Sequence, residues 1–291
     1  MQELYERYHR LLFTLAYQMT GSVSDAEDTV QDVFLKLADV HPDKLAEPKA
    51  YLCKMATNRC MDLLKSARRK REQYFGQWLP EPVRTGNDEP FEAVARQQML
   101  SYAMLVLLEQ LTPAERAAFV LREALDLDYA VIADLIERSE ANCRKLVSRA
   151  RGKVGGARRE AETACSYELS QDWIHRFLSA LKLENTKQLV SLLAEDVAVI
   201  SDGGGKVTAA VQPIESRDRV VQFLFGLFRK ASHSTETDAH IEIAELNGQP
   251  GLIYMVGTRI DTAVLMDTEN HRIRNLFFMR NPDKIRHLAG R

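Results

Sequence analysis

The sequence is short of cysteine, and the four it has, Cys53, Cys60, Cys143 and Cys165, form no CxxC pair and have no histidine at metal-ligand spacing. That pattern argues against a disulfide framework and against a zinc site, and leaves reduced thiols. Long apolar runs are missing too. The best, Met99 to Leu108, is interrupted by Ser101 and falls short of the roughly 18 residues a membrane span takes, so it reads as a buried helix. The opening MQELYERYHR is charged and amphipathic where a secretory signal would carry an apolar core, so a cytoplasmic address is expected. Glycine and proline, 14 and 9 of 291 residues, are too few for a collagen-like or low-complexity chain, and no internal repeat is visible. At 45% apolar residues the chain has material for two or three cores.

An excess of either charge is also missing, since the net is only −2. The distribution is another matter. Between Arg138 and Arg159 there are eight basic residues against Glu140 alone, and Lys65 to Arg71 adds five with no acid. Two short basic patches therefore stand against an acidic remainder, which is the footprint of a polyanion binder with two separated contacts. A pair of solvated helix faces is the plainer alternative.

Leu4, Tyr5, Tyr8, Leu11, Leu12, Leu15 and Met19 recur at helical spacing, with Gly21 as a C-cap. Ser24 and Glu27 read as a capping box opening a second helix, with Ala26, Val30, Val33, Phe34 and Leu37 as its apolar stripe. A third helix starts near Pro48 and runs into the basic stretch, which makes residues 1–72 one all-helical unit. Residues 73–98 read as a linker, because Arg71 to Asp88 holds prolines, glycines and no helical period. Its Tyr74, Phe75 and Trp78 are costly to leave in water, so the linker is expected to dock on something. Helical periodicity resumes from Phe91 to Leu111, and Thr112, Pro113 and Glu115 cap a further helix to about Ala124. Tyr129 to Ile136 and Ser139 to Val154 then give short helix, tight turn and basic helix, a helix-turn-helix within residues 99–160.

Residues 166–291 change character. Helices over Gln171 to Leu183 and Thr186 to Leu193 precede strands at Val197 to Ile200, Val207 to Val211, His240 to Leu246, Leu252 to Met266 and Arg272 to Met279. Turns fall at DGGGK (Asp202 to Lys206), Asn247-Gly248 and Glu269-Asn270, and one helix, Arg219 to Phe228, interrupts the strands. This is a separate α+β domain, so the chain is multidomain, two all-α units followed by α+β.

On the last basic helix, Ala141, Cys143, Leu146, Val147, Ala150 and Val154 form a buried stripe, leaving Arg144, Lys145, Ser148, Arg149 and Arg151 outward, side chains suited to guanine edges and phosphates in a major groove. On the third helix Asn58, Asp62, Lys65 and Arg69 share one face, with Arg59 and Arg68 beside it.

DAEDTVQDVFLKL (Asp25 to Leu37), PKAYLCKMATNRCMDLLKSARRK (Pro48 to Lys70), LTPAERAAFVLRE (from Leu111) and YAVIADLIERSEANCRKLVSRAR (to Arg151) together resemble bacterial RNA polymerase sigma factors of the extracytoplasmic-function (ECF) type. WLPEP (Trp78, Leu79, Pro80, Glu81, Pro82), DGGGK (Asp202, Gly203, Gly204, Gly205, Lys206) and NPDK (Asn281, Pro282, Asp283, Lys284) resemble the subgroup with a SnoaL-like C-terminal extension, a cone-shaped α+β barrel. The resemblance implies that Asp25, Asp28, Gln31, Asp32 and Phe34 dock on core RNA polymerase. It implies that Asn58, Arg59 and Asp62 capture the unpaired minus-ten strand while Lys65, Arg68, Arg69 and Lys70 hold phosphates. Arg144, Lys145, Ser148, Arg149 and Arg151 would read the minus-35 element. Val131 departs from the family pattern, where a glutamate is common, at a position facing the turn rather than DNA.

The family uses no metal or cofactor, so neither is expected, and the protein is expected not to be an enzyme. Asp202, His233, His240, Tyr254 and Asp261 are candidate pocket groups, but no ordered acid and base pair is visible among them. Core RNA polymerase and promoter DNA are the expected partners, with a small-molecule ligand for the C-terminal pocket a further option and a free monomer the default. The DGGGK loop and the NPDK tail are expected to meet the WLPEP linker and set the spacing of the two DNA-binding units. A one-component regulator that senses a ligand, or a SnoaL-like enzyme fused to a DNA-binding module, are the alternatives; the second basic helix weighs against the regulator.

Overall fold

The computed structural model describes residues 2–38, 40, 47–71, 73–85, 99–155, 171–232 and 238–289. The chain divides into two compact units: Met1–Gln73, Asn87–Leu100 and Met104–Arg159 form one, and Tyr74–Gly86, Ser101–Ala103 and Glu160–Arg291 the other. Most of the described linker thus groups with the C-terminal half.

In the first unit, α1 (Gln2–Thr20), α2 (Val23–Ala38) and α3 (Pro48–Arg71) pack around Leu12, Leu15, Met19, Val30, Val33, Leu37, Leu52, Ala56 and Cys60. Of the stripes read from sequence, Leu12, Leu15, Met19, Ala26, Val30, Val33 and Leu37 are buried, whereas Leu4, Tyr8, Leu11 and Phe34 are half-buried and Tyr5 is exposed. The cap of α2 differs from the expected one: Ser22 Oγ accepts from the Asp25 amide at 3.3 Å, so Ser24 lies inside the first turn. Burial pushes the thiols of Cys53 and Cys60 up to about 11 and about 12, which keeps them protonated and inert.

The helices α4 (Tyr102–Leu108), α5 (Pro113–Glu123), α6 (Tyr129–Leu135) and α7 (Glu140–Val154) follow. The long helix expected from Phe91 is confined, among the described residues, to α4, and residues 91–98 lie outside them. Thr112 and Glu115 cap α5 reciprocally, and the Glu115 carboxylate also receives Lys153 at 2.6 Å, tying the start of α5 to the end of α7. Glu137, with φ of 54°, turns the chain between α6 and α7. Arg116 is buried, donating to the carbonyls of Leu108 and Met19 and to Glu109, so it joins α5 to α1. Burial pulls its basicity down to about 9, still high enough to keep it charged at neutral pH.

The second unit is a six-stranded sheet with helices on one face. After α8 (Gln171–Lys182) and α9 (Thr186–Leu192) come β1 (Leu193–Asp202), β2 (Ile214–Glu215), α10 (Arg217–Ser232), β3 (Ala239–Leu246), β4 (Gln249–Val256), β5 (Arg259–Glu269), β6 (Arg272–Met279) and α11 (Pro282–Ile285). The order is β2-β1-β6-β5-β4-β3, with β1 and β6 parallel and the remaining pairs antiparallel. Trp173, Ile174, Phe177, Val220, Leu224 and Phe225 pack on Leu252, Val264, Leu276 and Phe278. The intervening residues Leu265, Phe277 and Met279 are buried on the other face, where the ring of Tyr102 meets that of Phe277 edge-on at 5.3 Å.

Three strand readings change. Val207–Val211 is irregular, with bends at Val207 and Val211, and the strand beside β1 is the short β2, which follows Pro213. Leu252 to Met266 is two strands, because the chain reverses at Gly257 with φ of 60°. The last hairpin turns at Asn270 and His271, both left-handed, one residue later than the sequence suggested.

Candidate nucleic-acid interface

On α7, Cys143, Val147, Ala150 and Val154 are buried, while Arg144, Lys145, Ser148, Arg149 and Arg151 are all exposed. Ala141, expected in the stripe, is exposed instead. Ser139 caps the helix by accepting from the Asn142 amide. Two of the five outward residues have internal partners: Arg144 lies 4.4 Å over the Tyr129 ring and pairs with Glu140, and Arg151 donates to Glu123 at 2.7 Å. Stacking of this kind fixes a guanidinium plane while leaving its edge for an acceptor.

On α3, Asn58 and Asp62 lie on a ridge between two hollows of about 290 and 380 Å³. Asp32, Val33 and Lys36 of α2 wall the first, and Ile136, Glu137 and Arg138 wall the second. Arg59 pairs with Asp32 at 2.8 Å, so a residue expected at DNA and one expected at polymerase are partners. Lys65 pairs with Asp62, one helical turn back, and Lys54 lies near Asp134 and Glu137. Asp28 and Gln31 are exposed, Asp25 is half-buried, and Phe34 meets Tyr5 edge-on at 5.0 Å. Arg68, Arg69 and Lys70 continue α3, with side chains outside the described residues.

The strongest constellation is in the second unit, where WLPEP, DGGGK and NPDK come together. Asp202, fully buried at the end of β1, accepts from the Tyr74 hydroxyl at 2.6 Å, the Leu79 amide at 2.9 Å, the Gly204 amide at 2.9 Å and Lys284 Nζ at 2.8 Å. Lys284 also donates to the Leu79 carbonyl at 2.7 Å and sits 4.1 Å from the centre of the Trp78 ring. A buried ion pair is tolerable only when its remaining donors and acceptors are satisfied, and here they are. Asn281 caps α11 and donates to the Tyr74 hydroxyl at 2.9 Å. Burial first, and then the hydrogen bond to the Asp202 carboxylate, push the Tyr74 phenol well above its usual range, so it stays a donor.

The glycines follow from crowding. A Cβ on Gly203 would strike the Val207 carbonyl, and one on Gly204, already at φ of 60°, would strike the Asn281 side chain. Lys206 closes the loop by pairing with Asp283. Pro80 and Pro82 contribute carbonyls, which meet the Tyr102 hydroxyl and His287 Nε2 at 2.7 Å each. Glu81 is half-buried within the segment, and Pro282 is exposed at the start of α11, where its missing N–H costs nothing.

Sequence reasoning missed the linker's second attachment. Arg84 bridges to Leu246, Thr85 and Asn247 donate their amides to the Glu245 and Val83 carbonyls, and Arg84 pairs with Glu242, so the linker covers the β3 edge. Only the aromatic content of the segment hinted at docking. Of the remaining pocket candidates, His240 is exposed on β3, Tyr254 and Asp261 line a cavity over the sheet, and His233 lies outside the described residues. Among the described residues no group of side chains could hold a metal ion, and no helix is long and apolar enough to cross a membrane.

Residues 4–70 match sigma-70 region 2, and residues 101–154 match sigma-70 region 4. Over 228 residues the chain is 36% identical to the ECF RNA polymerase sigma factor SigJ of Mycobacterium tuberculosis, covering 78% of this chain and 72% of that one. The chain belongs to the ECF RNA polymerase sigma factors. This sigma factor is also 28% identical over 285 residues to the probable ECF sigma factor SigI of the same species, covering 96% of this chain and 93% of that one. The crystal structure of SigJ superposes with a TM-score of 0.78 at 30% identity over 98% of both chains. Membership makes the protein a transcription initiation factor that binds core RNA polymerase and promoter DNA, rather than an enzyme.

Proposed function

We propose that this sigma factor is regulated by its own C-terminal domain, which grips the linker between the two DNA-binding regions. The observation that carries the reading is the buried Asp202 carboxylate, which holds linker groups at Tyr74 and Leu79 and the NPDK lysine at once. A carboxylate with two linker donors and one buried cation gives the linker two discrete states, held or free, and a regulator needs a bistable element. Released, the linker would let regions 2 and 4 take the spacing that a given promoter demands.

Within the same reading, Asp25, Asp28, Gln31, Asp32 and Phe34 dock on polymerase. Asn58, Arg59 and Asp62 take the unpaired minus-ten strand, and Lys65, Arg68, Arg69 and Lys70 its phosphates. Arg144, Lys145, Ser148, Arg149 and Arg151 read the minus-35 element. The exposure of the α7 residues and the hollows flanking Asn58 support these roles. The C-terminal cavity is a ligand site in this scheme, which leaves the sheet domain a sensor.

Reconstituted transcription with core RNA polymerase on a genomic promoter library tests the proposal. The whole chain, a chain ending at Arg159 and Asp202→Asn are compared. The two altered proteins should share a change in promoter output, of one sign. Identical output from all three would end the regulatory reading.

A further inference from the structure

Over the helix-covered face of the sheet lies a cavity of about 340 Å³, within the roughly 300–1,000 Å³ of small-molecule sites. Its walls are largely apolar and aromatic, with Phe177, Leu224, Phe228, Tyr254, Val264 and Phe278 among them. The charged lining residues are Lys230, Arg259, Asp261 and Arg280, three cations against one carboxylate. Asp261 is already engaged, since it accepts from Arg280 at 3.1 Å and from the Thr262 hydroxyl at 2.8 Å. Lys230 and Arg259 are exposed while the paired Arg280 and Asp261 are half-buried, so the positive excess sits at the solvent side of the lining. An apolar body with one anionic head directed to that side fits it, and a cationic head would meet three like charges.

Arg280 is also where the cavity touches the linker contact. Its guanidinium donates to Thr262 Oγ1 at 3.2 Å, to Asp261 and, through Nη1, to the Thr208 carbonyl at 2.5 Å, just past the DGGGK loop. A guanidinium has five N–H donors, so Nη1 keeps one for another acceptor. The backbone amide of Arg280 donates to the Asp202 carbonyl at 2.8 Å, and the next residue, Asn281, holds the Tyr74 hydroxyl. One residue therefore has its side chain in the cavity and its main chain on the residue that grips the linker.

We propose that the cavity binds an apolar carboxylic acid whose carboxylate joins Asp261 on the Arg280 guanidinium, drawing Arg280 off the Thr208 carbonyl and loosening Asp202's hold on the linker. Arg259 and Lys230 offset the second negative charge. The binding half stands on the cavity alone, and the loosening half rests on the regulatory reading above.

The test uses the full chain. Titrated by calorimetry, decanoate binds at one site, about tenfold more tightly than decanol or decylamine, the margin expected of one charge-assisted hydrogen bond. Arg280→Met brings decanoate to the level of decanol, and Val256→Trp, which places an indole in the cavity from another lining position, abolishes both. Equal binding of decanoate and decanol, or decanoate binding that survives Val256→Trp, overturns the site. Should Arg280→Met fail to fold by circular dichroism, Val256→Trp and the three-probe comparison decide. For the coupling, Trp173→Phe leaves Trp78 as the only tryptophan of the two in the chain. Decanoate then shifts Trp78 emission to the red, as Asp202→Asn does without any probe. A shift with Asp202→Asn but none with decanoate overturns the coupling and leaves the linker reading standing; no shift with Asp202→Asn brings down the linker reading itself.

Discussion

The protein uses lysine and arginine in two opposite ways. On α7, Lys145 and Arg149 stand exposed on a helix whose other face is core. In the C-terminal unit, Lys284 is buried, with the Leu79 carbonyl, the Asp202 carboxylate and the Trp78 ring around it. The exposed cations cost the fold almost nothing and are available to a polyanion. The buried one is committed to the chain itself, and its removal would strand a carboxylate. Local charge density in a sequence therefore locates the first kind of site and says nothing of the second.

The sharpest way to break this contrast is to remove the partner of the buried cation. Asp202→Ala takes the acceptor from the Tyr74 hydroxyl and from the Leu79 and Gly204 amides and strips Lys284 of its counter-charge, and breaking one side of a buried pair costs about 3–5 kcal/mol. Urea unfolding of the full chain should show that loss in the transition of the C-terminal unit. Asp202→Ala combined with Lys284→Met should recover a large part of it, because no buried charge then remains. A double variant as unstable as the single one would mean that the packing around Trp78, rather than the ion pair, holds the linker.

How far the sequence led follows the same division. The helix-turn-helix, the Thr112–Glu115 box and the outward face of α7 were legible because each depends on neighbours three or four residues apart. The DGGGK and NPDK segments were legible as motifs, but Tyr74 and Asp202 are 128 positions apart and no local rule pairs them. Val83 to Thr85 carries no strand pattern of its own; its pairing exists because β3 has an open edge to cover. Val207–Val211 failed in the other direction. Its β-branched residues suggest a strand, yet the crowded turn at Gly203 and Pro213 beyond it leave no register with β1 until Ile214. Arg280 went unnoticed because its role comes from side chain and main chain serving different neighbours.

On the exposed side of the comparison, Arg149→Ala should reduce binding of polymerase holoenzyme to its promoter by about 1–3 kcal/mol if the residue reads a base edge, with the loss concentrated at one position of the upstream element. Stability should move by less than about 0.5 kcal/mol, as for other surface changes. Footprinting on a set of single-base promoter variants separates the two readings of this residue. A uniform loss across all variants, accompanied by a shallower salt dependence, would assign Arg149 to phosphate instead.

The smallest effect concerns a charge that lies between the two extremes. Burial would raise the Glu115 carboxyl, but the hydrogen bonds from Lys153 and from the Thr112 amide and hydroxyl outweigh it and hold the group below the usual carboxylate range. A carboxyl lowered in the folded state adds stability above its unfolded pKa, and that stability is lost as pH falls through the folded value. Glu115→Gln keeps an acceptor for the cap and discards only the charge facing Lys153, itself well exposed, so the cost at neutral pH should be about 1 kcal/mol. Unfolding measured along an acid series should show the gap between parent and variant closing as the parent's carboxyl takes up its proton. A gap that stays constant into strong acid would show that Lys153 contributes through packing on α5, and that the charge of this pair is as idle in the fold as those of Lys145 and Arg149.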